Sequence, residues 1–261
     1  MSEALLEARG VSVRFGGVVA LNQVDFAAGT GEITGLVGPN GAGKTTLFAV
    51  LSGLLRPRSG QVLFDGVDVT SASAQRRARL GLARTFQRLE LFTELTVRAH
   101  VVVAHRVRRH RDRTLLRDLA GFGARPTPDE DERVHSILAL LELEAVADVP
   151  VVLLPLGTGR IVEIARALAT EPRIVLLDEP TSGLDVHETE RVAHALRAAS
   201  RDRGVAFVMV EHDVELVLEL SEDVTVLDFG RVIARGSPAD IRSSANVQAA
   251  YLGAPADAES G

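Results

Sequence analysis

Gly38-Pro39-Asn40-Gly41-Ala42-Gly43-Lys44-Thr45-Thr46 follows the apolar run Ile33–Val37 and opens Thr45–Leu55, where Leu47, Phe48, Val50, Leu51 and Leu54 recur at helical spacing. A G-x-x-x-x-G-K-[ST] loop between a strand and a helix is a phosphate-binding P-loop. Its glycines let backbone N–H groups curl around phosphate oxygens, and the helix that follows adds the positive end of its dipole. Lys44 would bridge the β- and γ-phosphates of a nucleotide, and Thr45 would ligate Mg²⁺. Lys44 is also the only lysine: the other 28 of the 29 basic residues are arginine. Lysine survives where a compact ammonium on a flexible stem is wanted and a planar guanidinium fits badly.

Outward from this loop the chain reads as α/β. Residues 1–35 alternate apolar and polar around Gly16-Gly17 and Gly29-Thr30-Gly31, as short antiparallel strands do. Residues 89–160 are rich in Arg, Ala and Leu with a helical pattern, and Thr127-Pro128-Asp129-Glu130 is a helix start. From 161 helices and fully apolar strands alternate: Ile161–Thr170, Ile174–Asp178, Val186–Arg203, Val205–Val210, Val214–Leu220, Val224–Asp228 and Arg231–Arg235, with Ser237-Pro238 starting a last helix. Continuous apolar strands imply a mostly parallel sheet covered on both faces. The expectation is one domain over 1–253, with a core of about 1–88 and 161–253, an N-terminal antiparallel β subdomain, an inserted helical subdomain at about 89–160, and a disordered tail at 254–261.

Composition narrows the class. The 261 residues are 46% hydrophobic and 25% charged, an ordinary globular balance. The net charge of −6 argues against a nucleic-acid binder. Cysteine is absent, which excludes disulfides, thiolate metal sites and a Cys nucleophile. The longest apolar runs fall far short of the ~20 residues of a spanning helix. The beginning MSEALLEARG has no apolar secretory core, so a cytosolic side is expected. Arg106, Arg108, Arg109, Arg111, Arg113 and Arg117 crowd one stretch with Asp112 and Asp118. They read as a solvated face, or as a contact with anionic lipid headgroups.

The strand Ile174–Asp178 ends in a carboxylate at the edge where such sheets bind ligands. Asp178 would hold Mg²⁺ through water, and Glu179 would orient or deprotonate the attacking water. Together with the P-loop this is a nucleoside-triphosphatase pattern.

Gln87 in Arg84-Thr85-Phe86-Gln87, Ser182-Gly183-Leu184-Asp185, and His212 in Glu211-His212-Asp213 follow in the order found in ATP-binding-cassette (ABC) ATPases, which the sequence resembles from Phe15 to Leu252. The resemblance implies ATP with Mg²⁺ as ligands. It makes Gln87 the glutamine that contacts Mg²⁺ or its water, His212 the switch histidine on the γ-phosphate, and Phe15 the ring that stacks on adenine. Asp185 would cross to a partner subunit. Catalysis would fall to Glu179, His212, Lys44 and Gln87. Arg14–Leu21, Leu91-Phe92, Leu95–Arg98 and Val247–Gly253 look closest to the larger ATP-binding subunit of branched-chain amino-acid importers. This implies a permease, a solute-binding protein acting indirectly, and a place on the cytoplasmic face of the membrane. An amide or urea importer is the alternative.

One departure is large. The family's signature, Leu-Ser-Gly-Gly-Gln, is replaced by Leu154-Pro155-Leu156-Gly157-Thr158-Gly159. Pro155 stands where a serine hydroxyl meets the γ-phosphate across the dimer, and Thr158 is a possible substitute hydroxyl. An altered signature favours pairing with a different ATPase over self-pairing, or a regulatory subunit with weak hydrolysis.

Overall fold

The structure is a computed structural model that describes residues 4–85, 89–109 and 127–252. In chain order the elements are β1 (Leu6–Phe15), β2 (Val18–Ala28), β3 (Ile33–Val37), α1 (Lys44–Ser52), β4 (Ser59–Phe64), β5 (Val67–Asp68), α2 (Ala74–Leu80), β6 (Leu82–Arg84), α3 (Val97–Arg109), α4 (Pro128–Leu140), α5 (Leu156–Leu168), β7 (Ile174–Asp178), α6 (Val186–Arg203), β8 (Ala206–Val210), α7 (Val214–Leu220), β9 (Asp223–Asp228), β10 (Arg231–Gly236), α8 (Pro238–Ser243) and α9 (Ala245–Leu252). They fall into two compact units, one running to Leu80 and resuming at Ala206, the other Gly81–Val205. The tail 254–261 and Arg111, Arg113 and Arg117 lie outside the described residues.

The first unit stacks two layers of strands. An antiparallel sheet runs β2-β1-β4-β5. β1 buries Leu6, Ala8, Val11 and Val13 on one side, the alternation that its sequence shows. In the other layer β3 pairs in parallel with β8 and β9, and β10 is antiparallel to β9. Every residue of β3 and β8 is buried, which is why β8 reads as an unbroken apolar run and β3 as one interrupted only by Thr34 and Gly35. Leu47, Phe48, Val50 and Leu51 of α1 are fully buried. That helix ends at Gly53 in the left-handed region, and the guanidinium of Arg77 sits against its end. Nη1 of Arg77 donates to the carbonyls of Val50 and Leu51 at 2.7 Å each, and Nη2 to Val69 at 2.7 Å. Burial holds the Arg77 guanidinium down to about 10.

The second unit pairs β6 with β7 in parallel. Two of its helices start on capping boxes: Thr127 closes α4 with one shared with Glu130, and Asp185 closes α6 with one shared with Glu188. Two boundaries differ from the sequence reading. The helix expected from Ile161 begins at Leu156, so most of the altered signature is its first turns rather than a loop. Pro155, at φ −56°, is already set for the N-cap position. The last helix is two, α8 and α9, divided at an extended Ser244. The short elements α2 and β6 carry too few periodic residues to be visible in the sequence.

Candidate functional site

In the first unit the P-loop joins β3 to α1. Gly38 has φ +154°, and a Cβ there would lie 2.1 Å from the carbonyl of Leu227 on β9, so no side chain fits. Lys44 is 7% exposed, and its Nζ donates back to the carbonyls of Gly38 at 2.5 Å and Pro39 at 3.0 Å. The ammonium is thus held inside the ring of the loop. The start of α1 at Gly43 has no side-chain cap and no acid in its first turn. The first amides of a helix have no intrahelical partner, so an uncapped start beside a held ammonium fits a phosphate anion. Thr45 is exposed on this turn, and Thr46 is half-buried.

Three further groups belong to this unit. Phe15 ends β1 opposite Val18 and is 54% exposed, a ring on the surface rather than in the core. His212 follows β8 and is exposed, next to buried Glu211. Asp213 caps α7, accepting from the Leu216 amide at 3.1 Å. Tyr251 lies on α9. Burial, with the Asp228 carboxylate nearby, pushes its hydroxyl up to about 12.

In the second unit Asp178 closes β7 and is 8% exposed. Nη2 of Arg84 on β6 donates to its Oδ2 at 2.9 Å, both side chains largely buried. The parallel register, Arg84 beside Leu176, aims the arginine along its neighbour toward that carboxylate. Glu179 has φ +49°, a left-handed conformation unusual for a side chain of its size. Gln23, Asp65, Glu142, Glu171 and Phe229 share a positive φ, so what singles Glu179 out is its place directly after Asp178. Gln87 lies outside the described residues. The residues just past it are held by α5: Glu163 Oε1 accepts from the Glu90 amide at 3.1 Å, and Arg166 donates to the Glu90 carbonyl. Burial raises the Glu163 carboxyl against the pull of Arg160 and Arg166.

Leu154 and Pro155 precede α5, and Leu156, Gly157, Thr158 and Gly159 form its first turns. Thr158 is 4% exposed, and its Oγ1 accepts from Nη1 of Arg191 at 3.3 Å. The hydroxyl offered as a substitute for the signature serine is therefore turned inward. The Gly157 amide donates to Glu188 Oε1 at 2.9 Å. Asp185 is exposed at the start of α6.

The P-loop residues, Phe15 and His212 thus belong to the first unit, and Asp178, Glu179, the altered signature and Asp185 to the second. Arg84, Glu188 and Arg77 escaped the sequence reading. Asp185-x-x-Glu188 is a legible capping box, but nothing in a sequence says that its carboxylate also reaches Gly157. Among the described residues no group of three or more His, Cys, Asp or Glu could hold a metal ion on its own. No helix there is long and apolar enough to cross a membrane.

The chain is similar to several known proteins. A family model described as ABC transporter matches residues 21–182. A model described as branched-chain amino acid ATP-binding cassette transporter matches residues 231–257. The high-affinity branched-chain amino acid transport ATP-binding protein BraF of Pseudomonas aeruginosa is 36% identical, over 97% of this chain and 99% of its own. The sulfate/thiosulfate import ATP-binding protein CysA of Caulobacter vibrioides is 37% identical over 90% of this chain and 66% of its own. Among solved structures, the ADP conformation of MJ1267, an ATP-binding cassette of an ABC transporter, superposes with a TM-score of 0.81 at 28% identity, covering 97% of this chain and all of that one. The chain therefore belongs to the ABC transporter family, as an ATP-binding, ATP-hydrolysing subunit.

Proposed function

We propose that this chain energises an importer of branched-chain amino acids, binding ATP on the P-loop and hydrolysing it on the cytoplasmic face of the membrane. The observation that carries the ATP site is the uncapped start of α1 beside the held ammonium of Lys44. In this reading Gly38–Thr46 wraps the phosphates, Phe15 stacks on adenine, and His212 meets the γ-phosphate. Glu179 orients the water that attacks γ-phosphorus as the bond to the β-phosphate oxygen breaks. Mg²⁺ would be held by oxygens of Thr45, Gln87 and Asp178, the hard ligands it takes, and would neutralise charge on the phosphates. The likeness of residues 231–257 to the branched-chain model supports the solute, and the similarity to a sulfate importer's ATP-binding protein makes sulfate the competing cargo to test.

The chain would work with permease subunits and a second ATPase that differs from it. Pro155 has neither hydroxyl nor N–H to offer, and Thr158 is committed to Arg191. A partner with a full signature would complete the site on this chain's P-loop, leaving the opposite site weak. The same observation favours a second reading, a regulatory subunit of low turnover. The test has two parts. Lys44→Ala should abolish tight ATP binding by the purified chain, and unchanged affinity would refute the P-loop assignment. Vesicles carrying the complex that co-purifies from membranes should take up leucine with ATP and not sulfate or urea. Uptake of either of those instead would refute the solute.

A further inference from the structure

The start of α5 is built unlike that of α1. Its N-cap is Pro155, which supplies no side-chain bond, yet its first-turn amide is taken from outside the helix. Gly157 N–H donates to Glu188 Oε1 at 2.9 Å, and the other oxygen of that carboxylate accepts from the Asp185 amide at 3.4 Å. Two amides thus hold the Glu188 carboxylate, and the Glu188 amide donates in return to Asp185 Oδ1 at 2.8 Å, closing the capping box. It lies directly on Gly157: a Cβ there would come within 2.7 Å of Glu188 Cβ. Residue 157 is glycine because that carboxylate's stem covers it.

Helix starts bind anions through such amides. At α1 the amides have no side-chain cap; at α5 the Gly157 amide already holds a carboxylate. We propose that Glu188 is the built-in anion of this signature, occupying the amide that would receive the terminal phosphate of a nucleotide on the partner's P-loop. A phosphate arriving there must displace an anchored carboxylate and meets its charge as it does so. Pro155 and the inward Thr158 offer it nothing in exchange. This rests on the reading of Leu154–Gly159 as a signature facing a partner's nucleotide, and it assigns the weakness of that site to one side chain.

The test uses the full chain carrying Glu179→Gln, which slows hydrolysis so that an ATP-held dimer of the chain accumulates. Sedimentation with ATP and Mg²⁺ measures dimerisation, and equilibrium dialysis measures ATP binding by the monomer. Adding Glu188→Ala should tighten the ATP-dependent dimer at least about ten-fold, since a hydrogen bond to a charged group is at stake at each signature. ATP binding by the monomer should not change. Glu188→Gln, which keeps the acceptor and the cap of α6 but loses the charge, should fall between, and guards against misfolding of the Ala variant. A dimer equally tight with and without Glu188, or absent in all three chains while ATP binds, overturns the proposal. Loss of ATP binding throughout would instead overturn the P-loop reading.

Discussion

Arg84 and Asp178 show what a single ion pair does at the end of a strand. A buried carboxylate needs a partner, and Arg84 supplies it at 2.9 Å from the adjacent strand. The arginine touches no nucleotide in the proposed site; it fixes the orientation of Asp178, as outer groups fix a metal's ligands. Arg84→Gln should lower kcat roughly ten-fold, and shift the Mg²⁺ concentration needed for half-maximal rate, while KM for ATP stays within about two-fold. A change in KM alone would contradict this role. Arg77 acts on stability instead. It is 1% exposed and spends its donors on carbonyls at the end of α1 and on Val69. Arg77→Met takes the donor from the Leu51 carbonyl and a second donor from those of Val50 and Val69, which keep the Gly53 and Ala72 amides, and should cost about 2 kcal/mol in denaturant unfolding, where a loss under about 1 kcal/mol would show that the Leu51 carbonyl finds another partner.

At the scale of elements, α3 and the segment before it are joined by one histidine. His100 is 1% exposed; its Nδ1 lies 3.0 Å from the Thr96 carbonyl, and its Nε2 2.9 Å from the Phe92 amide. A carbonyl on one nitrogen and an N–H on the other assign the neutral tautomer, with Nδ1–H donating and Nε2 accepting. Burial lowers the His100 pKa, and the nearby Arg166 charge lowers it further. The unfolded chain therefore takes up a proton that the folded one resists. Stability should be level above about pH 6.5 and fall as the pH drops below it, toward the depressed folded value. Thermal unfolding between pH 7.5 and 5 measures this, and His100→Gln should flatten the slope. An unchanged slope would place the titrating group elsewhere. The elements themselves were legible where pattern and cap agreed: β3 and β7 as apolar runs, α4 from Thr127-Pro128, α8 from Ser237-Pro238. The start of α5 was not, because the glycines at 157 and 159 look like loop residues until Glu188 and Leu89 are found packed against them. His100 was equally hidden, since a histidine on an apolar helical face gives no sign of which carbonyl and which amide it joins.

For the molecule as a whole, the order of motifs along the chain fixed the family: P-loop, Gln87, Asp178-Glu179, Asp185, His212. Those motifs are local in sequence, so they survive being distributed over two units. Contacts between distant residues, such as Arg84 with Asp178 and Gly157 with Glu188, depend on strand register and helix packing and were out of reach. The cargo is also out of reach, because relatives 36–37% identical carry names for branched-chain amino acids and for sulfate. In the proposed site the carboxylate that acts on the attacking water is Glu179, in a left-handed backbone directly after Asp178. Single-turnover hydrolysis of ATP, in the complex of this chain with its membrane partners, tests that most directly. Glu179→Gln should retain ATP while its hydrolysis slows roughly 100-fold or more, the loss expected when a group acting on the attacking water is removed. A rate within a few-fold of the parent would contradict the account.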